Sequence, residues 1–428
     1  MVKRWIAWLL VVAALLLSVG CGSNETPPVG EQEPSPPSEP QGLVIDEEYV
    51  IVFPQAYDLY IDRASSILQS AIREMTGVKV GITSERTEAV AKEIVVGYCN
   101  RFDAASITSP ITIQGEKLIF AAKDPAALYC IAEAFVDNCI SAGALDSEGR
   151  LLLDEETISR IASTSTVYEQ KITVLTQNLR YRDDEGGNSV AERSERFLAL
   201  VEDYDPDIIG TQEATPLWTQ YLDEFFSEEY TRIGVFRDGT GAAGDEANYI
   251  LYRTDRFTEI DSGTFWLYDK TPDIIGKVDD ALCNRICTWA LLKDNRSGEQ
   301  IFVCNTHLDH STDSVRAEQL AVLLEYLDYE LSHYPVIMTG DFNMLQDSVP
   351  YKSLTKAGLR DGQKSAWLDE SKVNYSCHLY QNSGSRIDYC FHSVDLMPFY
   401  AKIIDDDYGG YVSDHYGVLV ELVPMRKQ

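Results

Sequence analysis

Apolar runs that end in clustered hydrogen-bonding side chains dominate the second half of this chain. Val336-Ile337-Met338 leads into Thr339-Gly340-Asp341-Phe342-Asn343, and the weaker run Tyr411-Val412 leads into Ser413-Asp414-His415. Three earlier segments share the form: Gln177-Asn178 beyond Ile172 to Leu175, Gln212-Glu213 beyond Ile208-Ile209, and Thr306-His307-Leu308-Asp309-His310 beyond Ile301 to Cys304. A strand turns alternate side chains to opposite faces, so its apolar middle is buried while a polar end reaches the rim of the sheet. Five such ends in one domain constrain the fold to strands that lie side by side and open on a common edge. Acids, amides and imidazoles gathered there suit a divalent cation and a phosphate ester.

Further apolar runs, Tyr249 to Tyr252, Thr288 to Leu292, Ile387 to Phe391 and Val418 to Leu422, also read as strands. Helical stripes at Arg193 to Tyr204 and Val315 to Leu331 fall between strand runs. This order predicts an α/β (α+β) domain over residues 171–423, built of two packed sheets flanked by helices. A small α/β domain is expected before it, at 44–165, with residues 166–170 as the join. Its strands are Tyr49 to Phe53, Val78 to Ile82, Glu93 to Gly97 and a hairpin over Ile111 to Ala122. One helix carries the stripe Ala64, Ile67, Leu68, Ala71, Ile72 and Met75 and stops at Gly77; another opens at Asp124-Pro125. The order of this small domain resembles the N-terminal β/α domain of some secreted glycoside hydrolases. The resemblance implies a scaffold, with glycan contact as the other expectation.

The first residues predict export. Lys3 and Arg4 precede Trp5 to Leu17, an apolar stretch that fits a signal segment over residues 1–21 better than a spanning helix. Ser18-Val19-Gly20-Cys21 resembles a bacterial lipobox, with Ser18 where that pattern has Leu. Lipidation at Cys21 is expected, giving a membrane-anchored lipoprotein at the cell surface or in the periplasm; ordinary cleavage and release is the alternative. Residues 22–43, dense in Pro, Glu, Ser and Gly, read as a disordered tether. Later cysteines such as Cys304 and Cys390 sit in strand-like runs and read as small buried hydrophobes. Cys283 and Cys287 lack a second pair with zinc-site spacing.

Charge narrows the partners. The chain holds 36 Lys+Arg against 68 Asp+Glu, a net charge of −32, and has no basic run. Non-specific nucleic-acid affinity rests on Lys and Arg neutralising phosphates, so tight polynucleotide binding is not expected. A bound cation could still recruit a short phosphoester.

The five motifs, in this order, resemble the endonuclease/exonuclease/phosphatase superfamily, whose fold is the four-layered α/β sandwich of deoxyribonuclease I. The resemblance implies a Mg²⁺ site at Asn178 and Glu213, with Mn²⁺ as a substitute. Hard cations prefer oxygen ligands and keep several waters, so one carboxylate and one amide can suffice. It further implies that Asp341 positions the attacking water, Asn343 and His307 hold phosphate oxygens, and His415 acts as base or charged clamp. Asp388 would support this network, with Asp414 beside His415. Asp341 and Asn343, one residue apart, are expected on one face of an extended segment with Phe342 inward. Arg285, Arg316, His310 and His378 are candidate substrate contacts, and Glu246 lies near a family position close to substrate. Specificity is expected in the stretches Tyr268 to Leu282 and Ser365 to Ser385, because loops carry it in this fold.

Three functions compete at this point. The first is an exported Mg²⁺-dependent phosphoesterase acting on a mono- or diester. The second is an extracellular nuclease, for which only Trp218, Trp266, Arg285 and Arg316 suggest a rim. The third is an inactive surface binding protein, which the intact acids and histidines oppose.

Overall fold

The structure is a computed structural model that describes residues 42–425, apart from 57, 108, 123–124, 140–141, 164–169, 269–270, 272 and 367. The signal segment, Cys21, most of the tether and most of the join lie outside the described residues. No described helix is long and apolar enough to cross a membrane.

The N-terminal part is a five-stranded sheet in the order Gly81–Ser84, Val50–Phe53, Glu93–Val96, Lys117–Phe120, Ile111–Gln114. All neighbours are parallel except the closing hairpin. Helices Leu59–Thr76 and Pro125–Asn138 pack together and bury Ala64, Leu68, Leu128 and Phe135 with Ile51 and Phe120 in one core. Gly77 adopts φ +77°, which an L side chain rarely tolerates, and its N–H closes the first helix on Arg73 O. The next strand starts at Gly81, later than the apolar run suggests, because the chain first packs Val80 against this core. Gly42 and Leu43, expected in the tether, are ordered instead: buried Leu43 opens a two-stranded ladder with Leu153.

The C-terminal part is a sandwich. One sheet runs Tyr230–Ile233, Ile250–Arg253, Ile208–Gln212, Ile172–Asn178, Gly417–Pro424, Leu396–Ile404, Leu368–Asp369. The other runs Phe257–Trp266, Ile286–Asp294, Gln300–His307, Val336–Asp341, Asp388–His392, Arg360–Asp361. Between them lies a core that includes Ile172, Val174, Ile208, Val303, Ile337, Cys390 and Val418. Helices Val190–Tyr204 and Pro216–Phe226 share a second core with the outer face of the first sheet; Asp313–Tyr326 and Val349–Lys356 share a third with the second. Helix, sheet, sheet, helix make four layers.

Two local expectations fail. The stripe from Val315 to Leu331 is two helices, Asp313–Tyr326 and Asp328–His333, because the chain breaks at Leu327 to bury that side chain completely. Tyr411-Val412 is not a strand. Ser413, Asp414 and His415 precede the strand Gly417–Pro424, so they enter the rim from its start.

Candidate active site

Alternation builds the rim. Asn178 shares the face of Ile172 and Val174, His307 that of Val303, Asp341 that of Ile337, and Asp388 that of Cys390. All four therefore emerge between the sheets, past the end of the apolar core. Register completes the row: Asp341 pairs with His307 on one side and Asp388 on the other. Asn178 pairs with Gln212, and Glu213 follows with φ +60°, a backbone state uncommon outside glycine.

A polar layer supports the rim from below. Gln212 Nε2 donates to Asn305 Oδ1 at 2.8 Å and Thr176 Oγ1 at 3.1 Å, while Thr339 Oγ1 donates to Asn305 Oδ1 at 3.1 Å. Gly210 lets the sheets approach here: a Cβ at that position would lie 2.1 Å from Thr339 Oγ1. Buried hydrogen-bond networks of this kind fix geometry, although Gln212 Oε1 has no partner among the described residues.

On top, the distances are short. Asn178 Nδ2 donates to Glu213 Oε1 at 3.1 Å and Asp341 Oδ2 at 3.0 Å, and Tyr181 N–H donates to Glu213 Oε2 at 2.9 Å. His307 Nε2 lies 3.5 Å from Asp341 Oδ2 and 3.1 Å from Asn343 Nδ2. His415 Nδ1 lies 2.8 Å from Asp388 Oδ2 and 4.0 Å from Asp341 Oδ2.

Environment separates the roles. Burial, and then the charge of Asp388, push the Asp341 carboxyl up to about 7. Burial opposes a charge on His415, but Asp388, by charge and by hydrogen bond, outweighs it and holds that imidazole well above its usual pKa. His307 is driven the other way, by burial and then by Arg285 and Arg237, so it is neutral. The rim thus holds an acid poised near neutrality, an imidazolium and a neutral imidazole.

Several expectations need correction. Asn343 is not on an extended segment with Asp341. The strand ends at Asp341, whose Oδ1 accepts the Asn343 N–H at 2.9 Å, and Asn343 turns to φ +49°. Its amide still reaches His307. Asp414 does not hold the His415 ring: Asp388 does, and the Asp414 carboxylate lies 3.5 Å from Arg180. His378 is buried with its ring packed between Tyr411 and Tyr416, where substrate contact is blocked. Arg316 is spent on Asp313 and on the Asp309 carbonyl, bracing the turn after His307. Trp218 is fully buried, with its indole N–H on the Arg180 carbonyl, so it is no rim aromatic. Arg285 and His310 do lie together, Nη2 to Nδ1 at 3.2 Å, beside the charge that acts on His307. Glu246 is held by Arg237 through two contacts of 2.6 and 2.9 Å. Arg180 and Arg237 were missed. Arg180 stands two residues past the strand end at Asn178, a position that could have flagged it; Arg237 sits in a loop with no pattern.

The donor set fits a divalent cation. Glu213 and Asp341 turn carboxylate oxygens toward one amide nitrogen, and Asp388 Oδ1 is buried without a hydrogen-bond partner among the described residues. Glu213 is the ligand this geometry offers directly. Asn178 as oriented presents nitrogen, with its oxygen accepting the Arg180 N–H at 2.9 Å, so it could serve only after its amide turned over. Asp341, Asp388 and His415 also cluster within 4.8 Å. A His415 ring protonated and bonded to Asp388 cannot ligate through that nitrogen, so this trio is a hydrogen-bond network.

A four-layered sandwich whose facing strand ends gather these acids and imidazoles defines a hydrolase of phosphoester bonds. The chain belongs to the endonuclease/exonuclease/phosphatase family, whose pattern matches residues 175–415. A family protein of known structure from Bacteroides thetaiotaomicron is 30% identical, with TM-score 0.56, over 60% of this chain and 99% of that one. A mannosyl-6-phosphatase from the same organism is 31% identical, with TM-score 0.55, over 59% and 99%. Protein angel of Drosophila melanogaster is 29% identical over 216 residues, 47% of this chain and 58% of the fly protein, so the match spans less than two thirds of that relative.

Proposed function

We propose that this chain is an exported, lipid-anchored, Mg²⁺-dependent phosphoesterase that cleaves a phosphomonoester or phosphodiester by in-line attack of water. The observation that carries the reading is the single rim on which Asn178, Glu213, His307, Asp341, Asp388 and His415 meet. Glu213, joined by Asn178 once its amide has turned over, would hold the cation, which when bound offsets charge on the phosphate and on the departing oxygen. Asp341, pushed up to about 7, orients the attacking water and accepts its proton. His415, kept charged by Asp388, and His307, a neutral donor, complement the phosphate oxygens, with Asn343 steadying His307. Similarity to a mannosyl-6-phosphatase favours a phosphorylated sugar as the first compound to try. The net charge of −32 weighs against a nuclease. Anchoring rests on the sequence before Cys21.

The test compares wild type with Glu213→Ala on mannose 6-phosphate, inositol phosphates, bis-nitrophenyl phosphate, sphingomyelin, RNA and plasmid DNA, with Mg²⁺ and Mn²⁺. One class should be turned over by wild type and lost by at least about 10²-fold in the variant. No turnover of any compound by folded wild type would return the chain to the class of inactive surface binders. Cys21→Ser should move the protein from the membrane fraction to the soluble one.

A further inference from the structure

Beyond His307 the rim changes sign. Arg285, just before the strand Ile286–Asp294, is 3% exposed. Among the described residues the one hydrogen bond of its guanidinium is from Nη2 to His310 Nδ1, and its buried Nε has no partner. Its nearest carboxylate, on Asp309, stays 3.9 Å away and is already engaged by the N–H groups of Leu282, Cys283 and Ser311 at 3.0, 3.1 and 2.9 Å. Arg237 stands beside it. The Arg237 Nη atoms grip Glu246, its Nε is buried without a hydrogen-bond partner among the described residues, and its carbonyl is fixed by the Trp266 indole N–H at 2.7 Å. Burial and then the charge of Arg237 hold Arg285 below its usual pKa, so the two guanidinium groups repel. His307 Nδ1 is a third buried nitrogen here without a partner among the described residues.

A guanidinium taken out of water without acceptors is costly, and a second one nearby adds to the cost. Glu246, with Asp238 and Asp309 at 3.9 Å, offsets part of this charge, yet Arg237 Nε and Arg285 Nε keep no acceptor among the described residues. An oxyanion supplies the missing acceptors and cancels the repulsion. We propose that Arg237 and Arg285 form a paired-guanidinium subsite for the terminal oxygens of a phosphomonoester, so that this enzyme prefers monoesters to diesters. The inference rests on the phosphoesterase reading and adds the substrate class. A monoester dianion has three terminal oxygens to divide among the cation side, His307 and the arginines. A diester has two, and one charge.

Two measurements test this, on Arg237→Gln, which alters a half-buried side chain, and on Arg285→Lys, which keeps the charge but loses the fork. Binding of inorganic phosphate should weaken at least about tenfold in both variants, as expected for lost hydrogen bonds to a charged group. The kcat/KM on p-nitrophenyl phosphate should fall about 10²-fold, and on bis-nitrophenyl phosphate no more than about threefold. Unchanged phosphate affinity in folded Arg237→Gln, or equal losses on both ester classes, overturns the subsite. If wild type cleaves no ester yet binds phosphate, and Arg237→Gln does not, the subsite stands and the hydrolase reading falls.

Discussion

The N-terminal sheet and the C-terminal sandwich bury similar apolar cores but treat buried polar groups differently. In the N-terminal part, Glu93 is completely buried yet meets Lys117 at 2.7 Å, Arg101 at 3.2 Å and the Val90 N–H at 3.1 Å. The sandwich places Asp341 and Asp388 opposite each other, leaves Asp388 Oδ1 without a partner, and leaves Arg285, Arg237 and His307 each with an unmet nitrogen. Buried groups are normally satisfied, so a cluster of exceptions marks a place where folding has left room for a ligand. Single atoms without a hydrogen bond occur elsewhere too, Arg101 Nε beside Glu93 among them; several gathered round one pocket are what distinguish the functional rim among the described residues.

The largest expected effect removes one member of that rim. Asp341→Asn keeps the shape and should lower kcat by about 10²–10⁴-fold, the range for loss of a positioned general base. Its effect on stability should have the opposite sign. A carboxyl held above its unfolded pKa binds more protons folded than unfolded, so stability falls as pH rises through the window from 3.8 to about 7. The amide variant of metal-free protein should therefore melt higher than wild type at pH 8. A variant that loses activity and also melts lower would show that Asp341 is a structural acid, and the contrast with Glu93 would fail.

Glu93→Gln sharpens the same contrast from the other side. Removing one partner of a buried, paired group costs about 3–5 kcal/mol, and Lys117 and Arg101 would be left facing an amide. Urea unfolding should detect that loss, whereas kcat and KM per folded molecule should match wild type. A drop in kcat would tie the N-terminal sheet to the chemistry, a role its partnered acids do not suggest.

How much of this was legible follows the range of each interaction. Gly340-Asp341-Phe342-Asn343 and Gln212-Glu213 could be read because each is local: an apolar run and its polar end lie within one strand and one turn. The four layers could be read because strand and helix periodicities differ. Partner choice could not. Asp414 adjoins His415 in sequence, but Asp388 holds the ring, because the antiparallel pairing of Asp388–His392 with Val336–Asp341 brings Asp388 to the rim. Arg237 and Arg180 escaped for the same reason, since a lone arginine in a loop declares nothing until the sheets assemble. His378, which lies near a family position, and Arg316, a candidate phosphate contact, are packing and bracing groups in the fold.

A smaller effect should appear in the pH profile. With little cation present, the acid limb of kcat/KM should fall near pH 7, where the raised Asp341 carboxyl loses its charge. A cation beside Glu213 favours the carboxylate form, so saturating Mg²⁺ should move that limb to lower pH. A limb that ignores Mg²⁺ would place the ion away from Asp341 and break the link between the acidic half of the rim and the metal.

The smallest effect uses the two ends of one strand. Asp388 and His392 lie on Asp388–His392 with the same face inward, one at the rim and one at the far end. His392 is fully buried but partnered, Nδ1 at 2.8 Å from the Ser393 carbonyl and Nε2 at 3.1 Å from Ser365 Oγ. Burial, with Arg360 adding to it, pushes its pKa down to about 4. The unfolded chain then takes up a proton near pH 6.5 that the folded chain refuses until about 4, so stability falls as pH falls through that window. His392→Gln should remove on the order of 2–3 kcal/mol of the stability difference between pH 7 and pH 4. It should leave kcat at pH 7 unchanged, because the far end of the strand has its hydrogen bonds complete. If kcat fell with it, full partnership would not be enough to mark a buried histidine as structural, and the distinction between the two ends would have to be drawn on other grounds.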